Sequence, residues 1–281
     1  MRSPEIVRRI AEMTEHLEPM PQIAAKVMEI VGDPDATCEM LSGVISRDPA
    51  LATKTLSLSN TPYYRRVESI TSLNMAVMIL GFGTIQSLVL TISVGVIFGR
   101  SMARKTILKI WEHSVATALI SEILGKRLGL PEHERFYIAG LLHDVGKLVF
   151  CRSFPEKFKE VLKRSNRDGV SGYEAERMEF GFDHAQLGQA VLEKWNLPKV
   201  YSVPVANHHQ VGLSERHDMI SPLVHVADGM AHDILESERD SSWSTDPVAF
   251  ERLQLEASTV AEWVSQERDV IGENLQLIAR L

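Results

Sequence analysis

Seven residues of this chain have the types and the order of a metal-ligand set: His113, His143, Asp144, His184, His208, His209 and Asp228. Imidazole suits borderline first-row metals and carboxylate harder ones, so this mixture can hold one or two divalent cations that activate water. The chain has ten histidines, and any one taken alone is an ordinary surface or satisfied core residue. Their contexts single these out. His143-Asp144 ends the apolar run Tyr137-Ile138-Ala139-Gly140-Leu141-Leu142, and an adjacent imidazole and carboxylate at a buried helix end are costly to desolvate unless paired or metal-bound. His113 lies among small residues, Ser114 to Ala118, that let neighbouring helices approach. Asp183 and Gln186 form a capping-box pattern that puts His184 in a first helical turn. Neighbours on a helix point about 100° apart, so His208 and His209 serve one centre lying between them or two metals. Asp228 sits in the apolar stretch Leu223 to Met230, where His225 and His232 share its face as competing ligand candidates.

These ligands need helices to position them, and the punctuation for helices is legible. Ser3-Pro4, Asp48-Pro49, Ser221-Pro222 and Asp246-Pro247 each place a capping side chain before a proline suited to the first helical position. Thr71 before Ser72 to Leu80, with Gly81 and Gly83 after, frames another helix, and Gly129 can end the one carrying His113. Convincing period-two alternation is absent, which predicts an all-α, multi-helical protein. Residues 1–105 read as short helices broken by Pro21, Gly32-Asp33-Pro34-Asp35 and Asn60-Thr61-Pro62, with no catalytic constellation. Residues 106–235 hold every candidate ligand. Residues 236–281 read as a polar loop, Glu236 to Asp246, followed by closing helices.

At 281 residues the chain can bury one large or two modest cores. Its longest nearly apolar stretch, Ile85 to Phe98, is shorter than the roughly 18 residues of a membrane span and predicts a buried helix. Met1-Arg2-Ser3-Pro4-Glu5 has no secretory pattern, so a cytoplasmic location and no membrane partner are expected. Cys38 and Cys151 are read as reduced structural thiols. A net charge of −7 argues against broad nucleic-acid binding. Arg100, Arg104, Lys105 and Lys109 are read as a solvated helix face, and Tyr63, Tyr64, Arg65 and Arg66 as an exposed surface suited to protein partners.

The order His, His-Asp, Asp resembles the HD superfamily of metal-dependent phosphohydrolases, and the fuller series with Gly146-Lys147 resembles its HD-GYP branch, which hydrolyses cyclic di-GMP. The rest of the chain is more similar to the HDOD branch. Leu17-Glu18-Pro19-Met20-Pro21, Ile45 to Leu51, Leu58-Ser59-Asn60 with Tyr63-Tyr64, and Ile70-Thr71-Ser72 through Gly81 look like its N-terminal signature segments. So do Glu174-Ala175-Glu176-Arg177, Phe180 to His184 and Trp195 to Pro198 in the second lobe. The resemblance covers about residues 15 to 235. It implies an HDOD-specific helical lobe over 1–105, an HD-type metal-binding lobe over 106–235, and a role in bacterial signal transduction with protein partners. Within it, His113, His143, Asp144 and Asp228 would bind one ion and His184, His208 and His209 a second around a bridging Asp144, the metal being iron, manganese or zinc. The rival expectation is a working phosphohydrolase acting on a phosphate-containing or nucleotide ligand, with Asp144 and Lys147 as its catalytic groups. Two departures weigh against cyclic di-GMP as substrate. After His208-His209 the HD-GYP pattern would continue with Glu, an Asp-Gly and a Gly-Tyr-Pro, where this chain has Gln210-Val211-Gly212-Leu213, and Lys109 stands where that pattern can offer a Glu.

Overall fold

The computed structural model describes residues 4–15, 17–65, 69–99, 104–215, 217–235 and 246–278. They form helices α1 (Pro4–Glu15), α2 (Gln22–Val31), α3 (Cys38–Ile45), α4 (Pro49–Ser59), α5 (Leu73–Leu80), α6 (Phe82–Gly99), α7 (Arg104–Arg127), α8 (Glu134–Leu142) and α9 (Val145–Ser153). There follow α10 (Pro155–Asp168), α11 (Gly172–Phe180), α12 (His184–Lys194), α13 (Lys199–Asn207), α14 (Ile220–Ile234), α15 (Pro247–Leu253), α16 (Ala257–Gln266) and α17 (Arg268–Ile278). The fold is all-α, with no strand among the described residues. Caps act where the sequence places them. Asp48 accepts from the N–H groups of Ala50 and Leu51, Asp246 from Val248, and Ser171 and Asp183 close capping boxes on α11 and α12. Two details differ. Ser72, not Thr71, caps α5, and α14 starts before Ser221-Pro222 because Asp218 accepts from the N–H groups of Ile220 and Ser221.

Two compact units result: residues 20–100 with 267–281, and residues 1–19 with 101–266. In the first, α6 packs on α2, α4 and α5, and α3 on α2 and α5. Helix α6 is the one described helix long and apolar enough to cross a membrane, and 72% of it is buried within the protein. Its hydroxyls bond to their own helix: Ser87 donates to Gly83 O at 3.0 Å and Thr91 to Ser87 O at 2.8 Å. Asn60 clamps the loop after α4, donating to Leu56 O and Ile70 O and accepting from Ile70 N. Of the surface expected from Tyr63 to Arg66, Tyr64 is instead core, only 4% exposed and packed edge-on against Tyr63, while Tyr63 is half-buried and Arg65 exposed. Arg66, Arg100 and the segment 236–245 lie outside the described residues.

In the second unit α7 is the central helix, packing on α8, α14, α9 and α16. Close approach is written in small residues. A Cβ at Gly140 would lie 2.9 Å from Thr117 O, and at Gly146 only 2.1 Å from His184 O, so α8 touches α7 and α9 touches the start of α12 backbone to backbone. Behind α9, Phe150 stacks on Phe180 at 4.2 Å and lies near Phe158 and Phe182. These rings tie α9 to α10 and α11. Cys38 is half-buried and Cys151 buried, both as free thiols.

Candidate metal centre

All seven residues expected as ligands come together in the second unit, from five different elements. His113 projects from the middle of α7, His143 and Asp144 form the corner between α8 and α9, and His184 is the first residue of α12. His208 and His209 follow the last turn of α13, and Asp228 lies within α14. Their nitrogen and oxygen atoms fall into three overlapping groups, His113/His143/Asp228, His143/Asp144/His208 and His184/His208/His209, each spanning no more than 4.8 Å. His143 and His208 are 0% exposed, His184 and Asp144 1%, Asp228 2% and His113 8%. His209 is half-buried.

Hydrogen bonds fix which nitrogen each ring presents. His143 Nδ1 donates to Gly140 O at 2.7 Å and His208 Nδ1 to Val205 O at 2.7 Å, so both turn a bare Nε2 toward the cluster. His184 Nδ1 donates to Glu176 Oε2 at 2.6 Å, an oxygen that also accepts from the His184 backbone N–H at 2.6 Å. A carboxylate or carbonyl behind each ring is the arrangement that orients metal-binding histidines. Facing the cluster, His184 Nε2 lies 2.8 Å from His209 Nε2, 3.2 Å from His208 Nε2 and 3.2 Å from Asp144 Oδ1. Asp144 Oδ2 is 3.4 Å from His143 Nε2, 3.9 Å from His113 Nε2 and 2.8 Å from Lys147 Nζ. His113 Nε2 donates to Asp228 Oδ1 at 2.8 Å. His143 Nε2 and Asp144 Oδ1 are buried with no hydrogen-bond partner. Each such orphan costs about 1–3 kcal/mol, and a cluster of converging acceptors with orphaned members fits a divalent cation.

Metal binding requires ionised carboxylates and neutral imidazoles, and burial and charge hold most of the cluster in those states. Burial alone would raise Asp144 and Asp228, but His143 and Lys147 hold Asp144, and the hydrogen bond from His113 with the nearby His143 ring holds Asp228, well below the usual carboxylate range. Burial, with neighbouring cationic groups, keeps His184 and His209 neutral and pushes His208 down to about 3. His143 runs the other way: burial lowers it, but Asp144 and Asp228 outweigh burial and raise it. Lys147 is likewise opposed by burial and raised by Asp144, Asp228 and Glu176.

The two rival histidines of α14 separate. His225 donates through Nδ1 to His208 O at 2.7 Å and accepts at Nε2 from Asp246 N at 2.8 Å, which makes it a brace for the His208 turn. His232 lies against the cluster, its Nε2 3.6 Å from Asp228 Oδ1 and its ring 4.3 Å from that of His113. Lys109 is exposed on α7. Sequence reasoning missed Glu176 as a partner of His184. The signal lay in a carboxylate on the buried face of α11 one loop before Asp183-His184. It also missed Tyr173, whose ring stacks on His209 at 4.9 Å and has the Arg177 guanidinium over it at 5.2 Å from the ring centroid. Arg177 in turn bonds Asp183 Oδ2 at 2.6 to 2.7 Å, fixing the cap of α12. A cavity of about 180 Å³ opens beside His209, lined by Arg177, Gln186, Gln189, Asn207 and Gln210.

The chain is similar to solved structures of two bacterial proteins along nearly its whole length. An HDOD domain protein of unknown function from Geobacter sulfurreducens matches with a TM-score of 0.77 at 20% identity, covering 99% of this chain and 98% of that one. A protein from Shewanella amazonensis SB2B, provisionally named a phosphohydrolase, matches with a TM-score of 0.79 at 20% identity, covering 99% of both. At such identity the likeness shows the fold. An uncharacterized protein of Treponema pallidum (strain Nichols) is 25% identical over 206 residues, 72% of this chain but only 40% of that protein's length. The HDOD domain model matches residues 17–211. With more than half its residues matched by that model, this chain belongs to the HDOD domain family.

Proposed function

We propose that this chain is an HDOD-type regulatory protein of bacterial signal transduction, working in the cytoplasm, that retains a site for one or two divalent metals. One observation carries the metal: His143 Nε2 and Asp144 Oδ1 are orphaned among converging imidazoles, and the outer nitrogens of His143, His184 and His208 are already committed. His113, His143, Asp144 and Asp228 would hold one ion, and His184, His208 and His209 a second, with Asp144 between them. A bound ion would act as a Lewis acid and lower the pKa of water at the site. Iron, manganese and zinc all suit this donor set. On this reading residues 106–235 carry the metal and residues 20–100 serve protein partners, while α15 and α16 pack on α14 and α7 of the metal-bearing unit. A provisionally named signal transduction protein from Marinobacter aquaeolei VT8 has this fold, with a TM-score of 0.75, which supports the regulatory assignment. The test is metal content of protein prepared without chelator or nickel affinity. Between one and two equivalents of a first-row metal are expected; protein that stays metal-free and unchanged in stability with excess iron, manganese or zinc overturns the reading.

A second reading, a metal-dependent phosphohydrolase, is favoured by the cavity beside His209, by which a small phosphate-containing or nucleotide ligand could reach the site. Asp144 and Lys147 would then be catalytic. Lys147 Nζ donates to Asp144 Oδ2 at 2.8 Å and would have to exchange that bond for a phosphate oxygen. Cyclic di-GMP is not the expected substrate, since Gln210-Val211-Gly212-Leu213 replaces the loop that would hold it in line. Turnover of cyclic di-GMP near the enzymatic range of about one per second, lost in Asp144→Ala, would establish the enzyme in place of the regulator.

A further inference from the structure

The two halves of the cluster differ in what already satisfies them. In the first, His113 Nε2 donates to Asp228 Oδ1 at 2.8 Å and Lys147 Nζ to Asp144 Oδ2 at 2.8 Å, both charge-assisted bonds. In the second, three imidazole nitrogens and Asp144 Oδ1 converge, and the bond among them, His209 to His184 at 2.8 Å, joins neutral rings. His208 Nε2 is bare because Nδ1 carries the proton given to Val205 O, and Asp144 Oδ1 has no partner. We propose that metal occupation is ordered: the first ion enters between His184, His208, His209 and Asp144 Oδ1, and Lys147 delays the second by competing for Asp144 Oδ2. This rests on the reading of the cluster as a metal centre.

The argument is a comparison of what each ion displaces. An ion in the second half replaces one neutral hydrogen bond and relieves facing lone pairs. An ion in the first half must break two bonds to ionised carboxylates, each roughly twice as strong as a neutral one. Its positive charge would also meet the Lys147 ammonium, which donates to Asp144 Oδ2 at 2.8 Å. Position reinforces the order, because His209 is the half-buried ligand and borders the cavity of about 180 Å³, while His143 is wholly enclosed.

The experiment is calorimetric titration of the chelator-stripped full chain with zinc(II). Two steps are expected, the first tighter by about tenfold or more, the difference of one charged hydrogen bond. His209→Ala, at the edge of the site, should weaken the first step; the near-isosteric Asp228→Asn, with His113→Gln as a second variant should it misfold, should remove only the weaker one. Lys147→Met should tighten the weaker step by about tenfold. Near-ultraviolet circular dichroism establishes that each variant is folded. A tight step abolished by Asp228→Asn and His113→Gln but kept in His209→Ala overturns the order, as do two simultaneous ions or a weaker step insensitive to Lys147→Met. In all of those results the metal centre itself survives. Folded protein that binds no zinc overturns the metal centre instead.

Discussion

The two units bury different kinds of polarity. Among the described residues of 20–100 and 267–281, the buried polar side chains are hydroxyls and amides such as Thr55, Ser59, Thr91, Gln86 and Asn274. Several of these are satisfied within their own helix, as Ser59 is by Thr55 O at 2.8 Å. Every buried acidic or histidine side chain of the described residues, from His113 and Glu122 to Asp228, lies in the other unit. There the partners come from different helices, as His113 of α7 meets Asp228 of α14. A hydroxyl that bonds its own helix adds nothing a neighbour must supply, so it tolerates change. A charge that depends on another helix ties stability to the tertiary fit, and chemistry to both.

Breaking that fit should have the largest effect. Gly146→Ala would put a Cβ 2.1 Å from His184 O, and such overpacking of backbone against backbone should cost about 3 kcal/mol or more. Urea unfolding should show the loss, together with loss of bound metal. Metal removal comes next. With free ion at about 100 times its Kd, binding stabilises by about 2.7 kcal/mol, so chelation should lower the melting temperature of the native chain. The same chelator should move His143→Ala less, since that variant keeps only the ion among His184, His208, His209 and Asp144 and begins with less metal and a lower melting temperature. A chelator response in His143→Ala equal to that of the native chain would remove His143 from the ligand set.

Acid should sharpen the contrast further in metal-free protein. His208 is pushed down to about 3 and His232 to about 4 from an ordinary 6.5, and His184 and His209 are also depressed. Lowered histidines bind protons more readily in the unfolded chain, so their contribution is lost as pH falls below about 6.5. Glu176, raised by burial, opposes this with a single proton. His143, raised, changes only above its ordinary value and does not offset the loss. The melting temperature should therefore drop from pH 7 to pH 5, and a flat or rising profile would contradict neutral buried imidazoles. The smallest effects belong to the other unit. Thr91→Val loses one hydroxyl bond and should cost about 1 kcal/mol or less. Gly43→Ala, with nothing within 4 Å of a new Cβ, should stabilise α3 by about 0.5–1 kcal/mol. Either variant altering metal content would break the division between the units.

Much of this was legible in the residues. The capping pattern of Asp183 and Gln186 puts His184 at a helix start, and the apolar run before His143-Asp144 marks a buried corner, because caps and apolar runs are local and carry their own physics. What escaped reading depended on distant packing. Tyr63-Tyr64-Arg65-Arg66 looks like surface, yet Tyr64 is core, since a tyrosine in a turn points wherever neighbouring helices leave room. Glu176 could not be assigned to His184, because the loop between α11 and α12 decides which carboxylate turns inward.

By itself, then, the sequence determined an all-helical chain, the ends of several helices and the inventory of ligand types, since periodicity, caps and residue chemistry are properties of short segments. Tertiary structure alone decided which of the ten histidines converge. His225 and His232 share a helix face with Asp228, yet one braces the His208 turn and the other lies on His113, because contacts with other elements rank two positions that helical geometry makes equivalent. It also decided that the two oxygens of Asp144 face different company, His184 on one side and Lys147 with His143 on the other. That asymmetry arises only where α8, α9 and α12 meet at glycine contacts, and no spacing along the chain encodes it.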